Sequence, residues 1–464
     1  MSLVLVIPDG VGVRNFLQEP FVRRAAATGA VHVLHAIPES LAERFPALAV
    51  PGVQSHALLD SAGTRLTLLL RASLAYAQMY WADTQSMRFA RRTPVRGSLK
   101  TRVVYGAARV IGATAATRPG LRVLDRMHTS VADTTPEVDH YRALFRTLKP
   151  RVLFCSHQRP VAVVAPVLAA RSLGIPTATF IFSWDNITSK GRIAAPFDHY
   201  LVWSAHMRDE LLRYYPDVRA EQVHIVGTPQ FDPYEDEALL WSRDEFCARV
   251  GADPLRPLIC YSGGDAGTCP EDPAHVGILL DLVRDGRIRG RPQVLVRPAP
   301  VDNGARFASV RKEHPELLYA QPEWTHAEPG NWARVLPLPA DIQFLANLTH
   351  HADLNVNVAS TMTIDFALRD KPVVNIAFDV ADPPPFSKPL WEYYYTFEHY
   401  RRVVELKAAR FARSPQELAD GVNAYLADPS LDRDARKQLV ELQVGAPVGS
   451  AGARIVETLQ QIAR

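Results

Sequence analysis

The chain has only four cysteines, Cys155, Cys247, Cys260 and Cys269, and no two of them stand in a CxxC spacing. That excludes a cysteine zinc site and a disulfide framework, so the reduced cytoplasm is the expected compartment. Long hydrophobic runs are missing as well. No uncharged stretch reaches the ~18 residues of a membrane-spanning helix. The apolar run in "MSLVLVIPDG" is about six residues long and lacks a basic flank or small-residue cleavage site. It reads as a first strand rather than a signal peptide, so the Asn186-Ile187-Thr188 sequon gives no reason to expect glycosylation. Neither sign of charge dominates. Fifty-two Lys and Arg against 49 Asp and Glu leave a net charge of +3, which gives no overall case for nucleic acid binding.

What is present is the make-up of a globular protein, 47% apolar and 22% charged. Its 464 residues are too many for one ordinary core, so two or three domains are expected. Strand-like runs alternate with helical patterns, which predicts an α/β fold with parallel sheets. A first series of strands falls at Leu3–Ile7, Val31–Ala36, Arg151–Cys155, Thr177–Phe182, His199–Trp203 and Gln222–Val226. A second follows at Leu258–Tyr261, Val294–Arg297, Ala333–Leu336, Leu354–Val356 and Val373–Ile376. The stretch from Asp232 to Pro257 is acidic at first and has proline near both ends, which suits a domain boundary.

Open α/β sheets bind ligands beyond the carboxyl ends of their strands, and two such domains are expected to use the cleft between them. The residues just after each strand therefore matter most. "IPDGVGVRNF" brings Asp9, Arg14 and Asn15 to the first such turn, whose glycines allow close backbone approach to a ligand. "FCSHQRP" supplies His157, an acceptor-site residue or base, and "FSWDNITSKGR" crowds Trp184, Asp185 and Lys190 after an apolar run. In the second half, "CYSGGDAGTCPED" offers Ser262, Gly263, Gly264 and Thr268 as a small-residue loop for phosphate or sugar. It lacks the lysine of a P-loop. Arg297 ends the next strand, placed either to clamp phosphate or to form a structural ion pair. In "NVNVASTMTIDFALRDKPVVNIAFD", Ser360, Thr361 and Thr363 cap a helix whose amides suit a diphosphate, with Asp365 one turn inside for ribose hydroxyls. Finally, Arg88 to Arg126 holds ten Lys or Arg against one acid, Asp125. That segment suits an anionic membrane surface or a solvated flap.

Four stretches together resemble the GT-B glycosyltransferases that build bacterial surface polysaccharides, a group related to the CDP-glycerol glycerophosphotransferases. They are "SWDNITSKGR", "HIVGTPQFD", "NVNVASTMTIDFALRDKPVVNIAFD" and the tail "SPQELADGVNAYL…SAGARIVETL". The resemblance covers about residue 150 to the end, and residues 1–150 only loosely. It implies two Rossmann-like domains facing a cleft: 1–240 for the acceptor, 241–428 for the nucleotide donor, and 429–464 as helices crossing back onto the N-terminal domain. The relatives carry W-H-G-T-x-x-K, whose His is their proposed base. Here Trp184, Asp185, Asn186, Ile187 and Lys190 stand in those places, so Asp185 becomes the implied base. Lys190 or Arg297 would sit on the phosphates. No DxD lies between apolar strands, and the family implies no cofactor or bound metal.

Two departures bear on the donor. Arg297-Pro298-Ala299-Pro300 replaces R-x-H-P, and Asp365 replaces a longer Glu. The function implied is transfer of a sugar from a nucleotide-activated donor to a glycan or lipid-linked acceptor, in the cytoplasm or on the inner face of the plasma membrane. Polyol-phosphate transfer, nucleotide-sugar 2-epimerisation and a non-catalytic nucleotide-binding partner are the alternatives. The basic segment fits the epimerase least.

Overall fold

The computed structural model describes all residues except 61–62, 96, 327–334, 381–389 and 446. The chain packs into two compact units: Met1–Asp232 with Gln443–Arg464, and Pro233–Leu442.

The first unit is built on seven parallel strands: β1 (Leu3–Ile7), β2 (Val31–His35), β3 (Val53–Ala57), β4 (Val152–Cys155), β5 (Thr177–Phe180), β6 (His199–Val202) and β7 (Val223–Ile225). Their order is β3-β2-β1-β4-β5-β6-β7. The central strands are buried on both faces, as "LVLVI" and "VLFC" require of parallel strands covered by helices on each side. Phe16 meets Phe154 and Phe180 edge-to-face at 5.1 and 5.2 Å, locking the first helix, Gly10–Phe16, onto the sheet. Between β3 and β4 the chain forms helices instead of strands: Arg65–Ala82, Gln85–Arg92, Leu99–Thr114, Arg118–Ala132 and Pro136–Leu148.

The second unit repeats the plan with β8 (Leu258–Ser262), β9 (Gln293–Arg297), β10 (Leu318–Tyr319), β11 (Trp324–His326), β12 (Val335–Pro337), β13 (Leu354–Asn357), β14 (Val373–Ile376) and β15 (Arg410–Ala412). Six of them make a sheet ordered β10-β9-β8-β13-β14-β15, and β11 and β12 pair antiparallel outside it. The expected strand Ala333–Leu336 is thus a hairpin arm, Val335–Pro337, and its Ala333 and Arg334 lie outside the described residues. The core of this unit joins Ile259, Val294, Leu354 and Val374 of the sheet to Val276, Leu280 and Leu418 of the covering helices. Each such side chain contributes roughly 1.5–3 kcal/mol by leaving water.

The last helix, Ala451–Ile462, packs on the first unit. Asp232, the acid that closes "HIVGTPQFD", accepts hydrogen bonds from the Ala451 and Gly452 amides at 3.0 and 2.8 Å. Arg454 Nε donates to the Val226 carbonyl at 2.9 Å, and Arg151 donates to the Ala463 carbonyl at 2.8 Å. This motif therefore fastens the returning chain by capping it. Replacing Asp232 with Ala leaves two amides without their acceptor and should destabilise the first unit by about 1–3 kcal/mol. A lower urea midpoint is expected, and an unchanged midpoint would show that the helix is held without its cap.

Candidate functional site

A doubly wound sheet opens a crevice where its strand order reverses. In the first unit the reversal lies between β1 and β4, paired in register from Leu3↔Val152 to Val6↔Cys155. Asp9 comes two residues after β1 and His157 two residues after β4, so both stand at that crevice. Asp9 holds extended backbone angles and caps the first helix, its Oδ1 accepting from the Gly12 amide at 3.0 Å. Its Oδ2 pairs with His157 Nδ1. Burial works to raise the Asp9 pKa, but the His157 charge and hydrogen bond, with the Gly12 and Val11 amides, hold it below the usual carboxylate range. An ionised Asp9 puts the proton of a neutral His157 on Nδ1. That leaves a lone pair on Nε2, which is buried and has no hydrogen-bond partner among the described residues. Phe182 stands against the ring edge-to-face at 4.0 Å. Gly12 is required here, because a Cβ at that position would collide with Ser156 Oγ.

The loop expected to carry the base is organised differently. Asp185 Oδ1 accepts from Ser183 Oγ at 2.6 Å and Asn186 Nδ2 at 3.1 Å, and Oδ2 accepts from Ser189 Oγ at 2.6 Å. Lys190 Nζ stands 3.6 Å from the same Oδ2. Asp185 is the hub of its own turn, both oxygens engaged by the loop. Gln158 Nε2 reaches Asn186 Oδ1 at 3.0 Å, joining this loop to the one that bears His157. The Thr188 carbonyl accepts from Thr84 and Ser86 hydroxyls at 2.6 Å each, and Arg192 pairs with Asp125 and Gln78. Gly191 lies so close to Ala75 that a Cβ would meet its Cα at 3.0 Å. The Thr and the Gly of "SWDNITSKGR" thus clasp the loop to the helices, while the Asp closes its turn. Arg159, half-buried, has no hydrogen bond from its guanidinium among the described residues. Arg14 Nη2 donates to Gln230 at 2.6 Å and Nε to Asn15 Oδ1 at 3.2 Å, so these two residues brace the first helix.

In the second unit the reversal lies between β8 and β13. The loop after β8 uses its own amides. Gly263 N donates to the Arg297 carbonyl at 2.9 Å, Gly264 N to Asp272 Oδ2 at 2.8 Å, and Thr268 N to Asp265 Oδ1 at 3.0 Å. Asp272, buried, also accepts from Tyr261 Oη at 2.8 Å and from Arg306 at 2.9 Å. Arg306 in turn holds the Gly264 and Cys269 carbonyls at 2.7 and 2.6 Å. Arg306 carries no local signal that would mark it, and Asp272 stands simply before a proline at the start of the helix Asp272–Arg284. Burial pushes the Asp272 carboxyl up to about 6, against the pull of Arg306 and three hydrogen bonds.

Arg297 takes its structural alternative: Nη2 meets both oxygens of buried Asp341 at 3.0 and 2.9 Å. Ser262 Oγ accepts from Asn355 at 2.6 Å. The helix Met362–Leu368 starts where expected, but Thr363 turns inward, bonding the Tyr400 hydroxyl at 2.8 Å, and buried Asp365 accepts from Tyr234. The Ser360 amide is taken by Asn357 Oδ1 at 2.9 Å, and Ser360 Oγ accepts from Met362 N at 3.3 Å. Ser360 and Thr361 are half-buried and Thr268 is exposed, all three at the strand-end side of the unit. A slot of about 40 Å³ opens at Thr268, lined also by Glu271, His275, Val358, Asp379, Trp391 and Tyr394. A larger cavity of about 230 Å³, bordered by Leu121, Arg192, Tyr200 and Tyr215, opens where the chain enters β6 and β7, away from Asp9 and His157.

No protein-family profile and no curated protein matches this sequence. Solved structures do match along almost the whole chain. A UDP-GlcNAc 2-epimerase from Neisseria meningitidis bound to UDP-GlcNAc superposes with a TM-score of 0.54 at 9% identity, over 99% of this chain and 100% of that one. A second UDP-N-acetylglucosamine 2-epimerase gives 0.54 at 14% identity, covering 99% and 95%. A glycosyltransferase from Rickettsia africae gives 0.53 at 9% identity, covering 100% and 98%. The chain has the GT-B fold. At these identities the likeness speaks for the fold alone.

The Asp272 shift has a testable sign. A carboxyl whose pKa is higher folded than unfolded loses stability for the protein as pH rises from about 4 to about 6, and no more above that. Relative to an Asp272→Asn variant, the wild-type chain should lose on the order of 2–3 kcal/mol across that window. A constant difference between pH 4 and pH 7 would contradict the shift.

Proposed function

We propose that this chain is a glycosyltransferase that moves a sugar from a nucleotide-activated donor to a hydroxyl of a glycan or lipid-linked acceptor. The observation that carries this reading is the Asp9–His157 pair at the strand-order reversal of the first unit, whose buried Nε2 has no hydrogen-bond partner among the described residues. His157 Nε2 takes the proton from the acceptor hydroxyl, whose oxygen bonds to the sugar's anomeric carbon as the bond from that carbon to the diphosphate breaks. The nucleoside diphosphate leaves, and Asp9 stabilises the imidazolium that forms. Asp185, with Lys190, becomes the residue that shapes the loop rather than the base. On the donor side Thr268, Ser360 and Thr361 are the proposed contacts. Gly263, Gly264, Arg297, Thr363 and Asp365 hold those loops in place. Arg159 is a further candidate for the leaving phosphate. The reaction in this proposal needs no bound metal.

The fold favours a second reading, since two of the structures it matches are 2-epimerases. An epimerase changes the sugar of its nucleotide donor without any acceptor. Incubation with UDP-linked sugars alone, followed by NMR, should leave the sugar's configuration unchanged; inversion at C2 would establish the epimerase. The resemblance to CDP-glycerol enzymes rests on the sequence motifs alone, so CDP-linked donors belong in the same trials.

A thermal-shift panel of UDP-, GDP-, CMP-, CDP- and dTDP-linked donors should give one class that raises Tm by mass action. A panel with no response would remove the donor site from the second unit. With that donor, His157→Ala should cut turnover by about 10²–10⁴-fold while donor binding persists. Turnover near wild type would sink the His157 assignment. Activity should survive EDTA, and a loss restored by Mg²⁺ would refute metal-free transfer.

A further inference from the structure

The helix Leu99–Thr114 turns its apolar side chains outward. Leu99, Val103 and Val110 are 76, 64 and 66% exposed. At 100° per residue they fall within about 40° of arc, so they form one stripe. The opposite side is closed: Ala108 and Gly112 are buried, and a Cβ on Gly112 would come within 2.8 Å of Ala77 N and the Ser73 carbonyl. That close contact with the helix Arg65–Ala82 fixes which face looks out.

Cations border the stripe on both sides, Lys100 on one and Arg102 and Arg109 on the other. All three are exposed, and none has a carboxylate partner among the described residues. Arg92 and Arg126 are exposed too, while Arg96 lies outside the described residues. The one acid between Arg88 and Arg126, Asp125, is taken by Arg192.

We infer that this face docks on a bilayer containing anionic lipid, the stripe entering the headgroup boundary and the cations meeting lipid phosphates. An apolar centre with a basic border fits that environment on both counts. It does not fit a nucleic acid backbone, which offers phosphates but nothing to cover Leu99, Val103 and Val110. A second copy of the same face would set cation against cation. The inference stands apart from the glycosyltransferase reading, because it concerns where the chain sits and is read out without turnover.

The test is sedimentation of the full chain with phosphatidylcholine vesicles, with and without phosphatidylglycerol, at low and high salt. Binding should require phosphatidylglycerol and weaken with salt. The combined variant Leu99→Ser, Val103→Ser, Val110→Ser should bind at least tenfold more weakly. Each of Lys100→Gln, Arg102→Gln and Arg109→Gln should cost about fivefold. Circular dichroism and melting of each variant check that these exposed changes leave the fold intact. Failure of the wild-type chain to bind, equal binding by the triple variant, or a dimer that the triple variant dissociates would each overturn the inference.

Discussion

Parallel strands that leave the first strand in two directions cannot be covered at that point by their own crossovers, and everything distinctive here depends on this constraint. It acts twice. In the first unit it sets the turns after β1 and β4 beside each other, which brings Asp9 to His157 across 148 residues of chain. In the second it does the same for the turns after β8 and β13. There, however, the amides of Gly264, Thr268 and Ser360 are spent on Asp272, Asp265 and Asn357.

Asp9 shows how folding and chemistry share one side chain. One oxygen closes the amino end of the first helix, and the other fixes the tautomer of His157. A cap residue is held in position by backbone it cannot leave, so the imidazole inherits that rigidity at little further entropic cost. Gly12 belongs to the same arrangement, since only hydrogen lets the helix approach Ser156. The second unit achieves rigidity with charge instead. Arg306 and Asp272 cross-link the loop after β8, and Arg297 with Asp341 anchors the end of β9. Buried pairs of this kind stabilise little by themselves, but losing one partner is costly.

Much of this was legible in the sequence. The α/β alternation, the parallel strands through Leu3–Ile7, Leu258–Ser262 and Val373–Ile376, and the returning helix all carry clear apolar periodicity. Strand β3 does not: "VQSHA" is largely exposed and has no apolar face to announce it. The hairpin arm at Val335–Pro337 looked like a sheet strand because a short apolar run does not reveal its partner. At the candidate sites, sequence position singled out Asp9 and His157 separately but not as a pair, because nothing local encodes a contact over that separation. It expects chemistry of Asp185 and Thr363, whose hydrogen bonds here run to Ser189 and to the Tyr400 hydroxyl. Position after a strand is readable from sequence; the direction a side chain takes there depends on its neighbours.

The central claim is that Asp9 holds His157 with its Nδ1 protonated and Nε2 free as the base. Long-range ¹⁵N–¹H NMR of histidine-labelled protein reads that directly. The account predicts an Nδ1–H tautomer for His157 at neutral pH that is weakened or lost in Asp9→Asn. An Nε2–H tautomer in the wild-type chain, or one indifferent to Asp9, would contradict it.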